Sequence, residues 1–435
     1  MKKTLLLGVG LMFLSYQAFA QGALEEAFLL PVEGESQIEE SLSLTKKDLP
    51  AHSFNKTKSV HSSIAKSKKR AKNIHHKENS WAKEYFNAKQ RFQDATGISY
   101  TLDASVLGQR GAPNGKITPW QTGYYGSLNW DLFQSERFGA GSIQAAYTLI
   151  RYWNKNASIL GNNISVATPI NDYTEKANYF DQLSYTQNFA GALKSLSVTL
   201  GQFPLYNFDG TEYNSNQQIN FINEALSQNL TSVYPTAGLG GYITWNPSQT
   251  VSFSLGAQDA TNVSGNRITT KNLSDKKFTS FLSAGYSPVN ALGELQLSLL
   301  LYYQPSVEAQ EGHAVGWSFN AQQNIGKKWA IFGRANGVSK ALTGFNQSYM
   351  IGAVYNNPFN HNPLDQLGFA YALNKVDKEV MQSNRNWENV LEGYYSFGIG
   401  STLIITPNIQ FYINPALNNK SHTATVASLR ATFMF

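Results

Sequence analysis

The closing run Val390-Leu-Glu-Gly-Tyr-Tyr-Ser-Phe-Gly-Ile-Gly400, then Leu403-Ile-Ile-Thr-Pro-Asn-Ile-Gln-Phe-Tyr-Ile413, then Thr423-Ala-Thr-Val-Ala-Ser-Leu-Arg-Ala-Thr-Phe-Met-Phe435 alternates in steps of two. In its middle piece Leu403, Ile405, Pro407, Ile409, Phe411 and Ile413 share one parity, while Thr406, Asn408 and Gln410 hold the other. A side-chain period of two belongs to strands whose two faces see different surroundings. Three such strands of about ten residues, apolar on one face and polar on the other, read as part of a membrane-spanning β-barrel. A soluble sandwich alternates as well, so the rest of the chain has to decide.

Working back from this run, the same dyad returns at Ile98–Val106, Tyr124–Phe133, Ser142–Tyr152, Tyr179–Gln187, Leu196–Phe203, Ala237–Trp245, Val251–Gln258 and Phe278–Tyr286. It continues at Glu294–Tyr303, Ala314–Gln322, Trp329–Asn336, Ser348–Tyr355 and Gln366–Asn374, which makes sixteen strands in all. Their connections alternate. Short turns such as Asn246-Pro-Ser-Gln249 and Ile325-Gly-Lys-Lys328 take turns with long loops at Leu107–Gly123, Trp153–Ala177, Pro204–Thr236, Asp259–Lys277 and Lys375–Asn389. An up-and-down barrel with short periplasmic turns and long outer loops requires that alternation, and a Greek-key sandwich does not. The expected fold is a 16-stranded antiparallel transmembrane β-barrel, all-β, with a short, partly helical N-terminal periplasmic arm.

Composition agrees. Of 435 residues only 15% are charged and 13% are aromatic, with 34 Gly and no Cys. Disulfides, Cys-based metal sites and Cys nucleophiles are therefore excluded. Residues 1–20 read as a signal peptide: Lys2-Lys3, an apolar stretch to Leu14 and Ala18-Phe19-Ala20 as a cleavage site. Residues 21–95 form the periplasmic arm, disordered and then a short helix near Glu78–Phe92. Its first part carries six Glu and no base; Thr45–Arg91 carries thirteen Lys or Arg against Asp48, Glu78 and Glu84. The net charge of +6 thus belongs to residues 1–91, the arm and the segment before it, and the barrel domain at 96–435 is close to neutral. The arm reads either as a contact for peptidoglycan or another anionic surface or as a solvated spacer. Behind a signal peptide, nucleic acid is no partner. His52, His61, His75 and His76 lie in the arm without a second ligand cluster, so no metal and no cofactor is expected. Beyond it His313, His361 and His422 fall in loops with no Ser placed beside them, so no catalytic residue is expected and the chain reads as no enzyme.

A basic side chain on the lipid face at mid-membrane costs about 2–4 kcal/mol. Asp103, Asp131, Arg334, Glu392 and Arg430 all fall on the polar parity and, with Tyr394 and Gln410, are the expected pore-lining residues. Arg151 and Asp181 fall on the wrong parity, which calls for a bulge or a place above the membrane. Sixteen strands enclose water, so something must narrow the lumen. The Pro204–Thr236 connection is the longest, and Tyr206, Phe208, Asp209, Glu212 and Tyr213 make it the expected constriction loop. Folded inward, its acids would oppose Arg334 and Arg430, an eyelet suited to polyhydroxylated solutes.

The motifs Glu392-x-x-Tyr395, Thr406-Pro407-Asn408-Ile409-Gln410-x-x-x-Asn414-Pro415 and Leu429-Arg430 resemble the carbohydrate-selective porin (OprB) family, as do Gly201-Gln202-Phe203, Phe221-Ile-Asn223-Glu-Ala225 and the Tyr100–Ser127 opening. The resemblance covers Gly97–Phe435 and departs at Asn408, where the family carries Asp. It implies an outer-membrane porin of a Gram-negative cell, in contact with outer-membrane lipid, passing small carbohydrates such as glucose by diffusion as a monomer or homotrimer. A general porin for other small solutes is the alternative.

Overall fold

The computed structural model describes residues 80–266 and 268–435. The expected signal peptide and the expected arm up to residue 79 lie outside the described residues. Helix α1 (Ser80–Thr96) leads into β1 (Ile98–Ala112), β2 (Trp120–Ser135), β3 (Gly139–Tyr152), β4 (Ala177–Asn188), β5 (Leu196–Phe203), β6 (Gly238–Trp245), β7 (Val251–Asp259) and β8 (Phe278–Tyr286). The second half is β9 (Leu295–Gln304), β10 (Ala314–Ile325), β11 (Trp329–Val338), β12 (Phe345–Asn356), β13 (Gln366–Val376), β14 (Trp387–Ile399), β15 (Leu403–Ile413) and β16 (Thr423–Met434). Each strand pairs antiparallel with its chain neighbours, and β1 pairs with β16 to close the ring. Closure removes every sheet edge, as a strand in hydrocarbon demands.

The two faces differ as the alternation requires. Outward side chains stay open: Leu255 is 65% exposed, Ile351 61% and Phe369 57%. Such residues in a ring around the sheet are stable only against lipid. Near the short-turn end the outward surface carries Trp130, a Trp245–Phe253 stack at 5.7 Å and a Trp329–Tyr355 stack at 4.5 Å. Near the long-loop end it carries Trp120 stacked on Trp153 at 5.9 Å. Amphipathic aromatic rings at two levels mark the two membrane interfaces.

Asp181 is turned inward by a bulge. The β3–β4 register jumps from Ala146↔Gln182 to Tyr147↔Phe180, which leaves Asp181 unpaired in the ladder and buried on the lumen side. There it accepts hydrogen bonds from Thr148 Oγ1 and from Tyr206 Oη, the latter at 2.7 Å. Arg151 keeps its outward parity but sits at the exposed long-loop end of β3, clear of the hydrocarbon.

The expected loop at Leu107–Gly123 shrinks to 113–119, because β1 and β2 pair as far as Gly108↔Trp120 and β1 runs on to Ala112 against β16. Leu107 is apolar on the inward parity, which hides the continuation. Gly108 leaves the room that lets the Trp120 ring cross the hairpin: a Cβ there would meet the ring at 2.8 Å. One turn-side connection, 357–365, is longer than the loop before it. It folds under the barrel, with Asn362 donating to Gly400 O and Asp365 accepting from Gly398 N at 2.7 Å.

Candidate functional site

Two loops occupy the lumen, one more than the sequence suggests. The β5–β6 connection, 204–237, is buried along nearly its whole length. The β3–β4 connection, 153–176, also turns inward, carrying a short helix α2 (Ala157–Asn163) and the buried residues Leu160, Ile164, Val166 and Ile170. Both loops are seated on apolar residues of the inward parity. Phe221, Leu226 and Leu230 share a cluster with Phe332, Met350, Val390 and Val426, while Leu205, Phe208 and Val233 share one with Phe281 and Leu300. A water-filled lumen gives no reason for inward Phe, Met or Val; a loop lying on the wall does. Burying each such side chain contributes about 1.5–3 kcal/mol to holding the loop in place.

Charge does the rest of the seating. Glu392 on β14 accepts the backbone N–H groups of Ile222 at 2.6 Å and Asn223 at 2.9 Å, and also the Asn408 amide. Glu388, four residues earlier, does the same for the other loop: it accepts from Ala167 N at 2.9 Å and Thr168 N at 2.6 Å, besides Ala416 N at 2.6 Å. Arg334 on β11 donates to the carbonyls of Gln228 and Asn214, with Nε on Asn320 Oδ1 at 2.8 Å. Arg430 on β16 donates to the carbonyls of Gln217 and Asn220. Wall charges are thus spent on loop backbone, and hydrogen bonds to charged groups are the stronger kind.

This corrects the expected eyelet. Arg334 and Arg430 are 3% and 1% exposed and lie beneath the constriction loop; they do not face its acids across open water. Glu392 is likewise covered. Gln410 donates to Ile170 O at 3.1 Å, so it too holds a loop. Tyr394 donates to Gln366 and packs edge-on to Phe221 at 4.9 Å. Asp103 lies at the barrel seam, where Oδ1 accepts from Phe435 N at 3.0 Å. Asp131 is exposed at the short-turn mouth, its Oδ1 accepting from the Asn129 amide.

Within the constriction loop, Asp209 accepts from Ser318, Asn320, Asn229 and Tyr234. Phe208 packs on Phe281 at 4.8 Å, and Tyr213 accepts from Asn356 Nδ2 at 2.8 Å. Glu212 is buried, and its backbone carbonyl accepts from Asn220. Of the five expected loop residues, only Tyr206 is part-exposed.

The two loops meet each other. Asn223 donates to Pro169 O at 3.1 Å, Asp172 N donates to Gln217 Oε1 at 3.0 Å, and Ser227 Oγ donates to the Asp172 carboxylate. Around this seam the side chains that still reach solvent are Asp172, Tyr173, Tyr206, Glu224, Gln228 and Tyr234. Burial pushes the Glu224 carboxyl up to about 8. It also raises Asp172 well above the usual carboxylate range, helped by Glu224 and opposed by the Ser227 hydrogen bond. The seam therefore offers three phenols, an amide and two carboxyls, and no base.

On the short-turn side the inward wall carries a network of hydroxyls and amides. Thr101 bonds Ser127 at 2.6 Å, Thr186 bonds Gln144 at 3.0 Å and Thr199 at 2.9 Å, and Thr244 bonds Ser254 at 2.9 Å. No group of three or more metal-ligating side chains occurs among the described residues.

The profile of the family described as carbohydrate-selective porin, OprB family, matches residues 128–300 and 286–435. Porin AaxA of Chlamydia abortus is 37% identical over 320 residues, which cover 73% of this chain and 71% of that one. Porin AaxA of Chlamydia trachomatis serovar D is 36% identical over 368 residues, 79% of each chain. A high-pH structure of Pseudomonas putida OprB superimposes with a TM-score of 0.67 over 81% of this chain and 97% of its own, at 18% identity, a likeness of fold.

Proposed function

Because this chain belongs to the OprB family of carbohydrate-selective porins, an outer-membrane channel of Gram-negative bacteria and not an enzyme, we propose that it passes small carbohydrates by passive diffusion, monosaccharides such as glucose among them. The observation that carries the reading is the seam itself. Tyr173, Tyr206 and Tyr234 offer ring faces for the apolar faces of a sugar, while Asp172, Glu224 and Gln228 accept from its hydroxyls. The hydroxyl and amide wall below gives a leaving solute weak, replaceable partners, which conduction needs. Single-channel current in a planar bilayer, titrated with glucose and larger sugars, tests this. Concentration-dependent interruption of the current is expected, weakened in Tyr206→Ala; indifference of the current to every sugar overturns it.

A second reading rests on charge. Loop 204–237 carries Asp209, Glu212 and Glu224 and no base, which favours a general small-solute porin with a preference for cations. Liposome swelling with sugars against amino acids of matched size separates the two.

A further inference from the structure

Helix α1 has no place in the passage of a solute, and its surroundings give it another role. We propose that α1 is an interfacial brace, lying along the outer wall in the phospholipid headgroup layer of the periplasmic leaflet, with Trp81 and Phe92 turned into the lipid. Its partners on the barrel are outward-facing. Tyr100 belongs to the outward parity of β1, and Phe435 pairs beside outward Leu102. Phe92 meets Tyr100 edge-on at 6.1 Å, Lys89 Nζ stands 4.6 Å from the centre of the same ring, and Tyr85 meets Phe435 edge-on at 6.4 Å. Ala82 is buried.

The level is fixed by the chain. Gly97 bridges α1 and β1, donating to Gln93 O while its own carbonyl accepts from Asp131 N at the short-turn end of the barrel. That is the periplasmic side.

At 100° per residue Trp81, Tyr85, Ala88 and Phe92 form one stripe, and Lys83, Asn87, Gln90 and Asp94 form the opposite face. Trp81 is 45% exposed and Phe92 43%, although both are large and apolar. They continue the periplasmic belt of Trp130, Trp245 and Trp329, whose occupant is lipid. An amphipathic helix with aromatic and basic residues is suited to that layer. Continuity with the lipid-facing wall singles out lipid over a second copy of the chain.

The chain has no Cys, so single labels are simple to place. Full-length protein carrying Trp81→Cys, Phe92→Cys, Lys83→Cys or Gln90→Cys, labelled with a nitroxide and reconstituted in vesicles of phosphatidylethanolamine and phosphatidylglycerol, is read by collision with oxygen and with a water-soluble nickel chelate. Labels at 81 and 92 are expected to favour oxygen, and labels at 83 and 90 nickel. Nickel access at all four sites overturns the proposal, as does shielding of 81 and 92 from both reagents, the signature of a second copy. Trp81→Ser combined with Phe92→Ser supplies a check without labels. Single-channel current should stay unchanged while trypsin cuts α1 in vesicles several-fold faster; equal cutting overturns the proposal.

Discussion

Glu392 accepts two consecutive loop amides, one on each oxygen, an arrangement glutamine cannot reproduce because one acceptor becomes a donor. Each lost bond to a charged group costs about 1.5–3 kcal/mol of loop docking. Glu392→Gln should therefore give a larger, noisier single-channel current than the wild type; a quiet current of unchanged size would show that the clamp is not needed. Glu224 carries the pH dependence. Its carboxyl is raised by burial to about 8, so the folded loop prefers the protonated form. Its contribution to loop stability is intact below the unfolded value of about 4.3 and is lost as pH rises towards 8. In the folded loop the seam gains its negative charge as pH passes through about 8, and the cation preference read from reversal potentials should rise between pH 6 and 9. In Glu224→Gln that rise should flatten, and a profile identical to wild type would exclude Glu224 as its source. The inward parity of Arg334, Glu392 and Arg430 is legible in the sequence. Their loop partners are not: Ile222 stands 170 residues from Glu392, and nothing local records the contact.

Among elements, the strands are the legible part, because each reports its own two environments in its own alternation. The loops are written elsewhere, in breaks of that alternation on distant strands. Phe332, Met350, Val354 and Val390 sit where a bare water-filled wall would carry polar residues, and together they trace the footprint of the two inward loops. The β3–β4 loop also announces itself in its own Leu160, Ile164, Val166 and Ile170. Phe221 lies at the centre of this footprint, fully buried, 5.7 Å from Phe332 and 4.9 Å from Tyr394. Phe221→Ala should remove about 3–5 kcal/mol from loop docking. The barrel should keep its heat-resistant mobility on gels while loop 204–237 becomes open to protease. A loop that stays resistant would show that the clamps alone suffice. The bulge at Asp181 is a milder case: its charge on the wrong parity was the visible sign, and its register was not.

At the scale of the whole molecule, closure by β1 and β16 separates two solvents, and everything else follows from which residues face which. Lipid meets Leu255, Ile351 and Phe369; the lumen is then filled from within by two loops, whose seam leaves tyrosines and carboxyls part-exposed. An empty sixteen-stranded barrel would hold a wide aqueous channel. The single-channel current of the wild-type protein in a planar bilayer tests this most directly. The expected result is a small, steady current that glucose interrupts in proportion to its concentration. A current as large as an unobstructed sixteen-stranded pore would carry, deaf to every sugar, would contradict it.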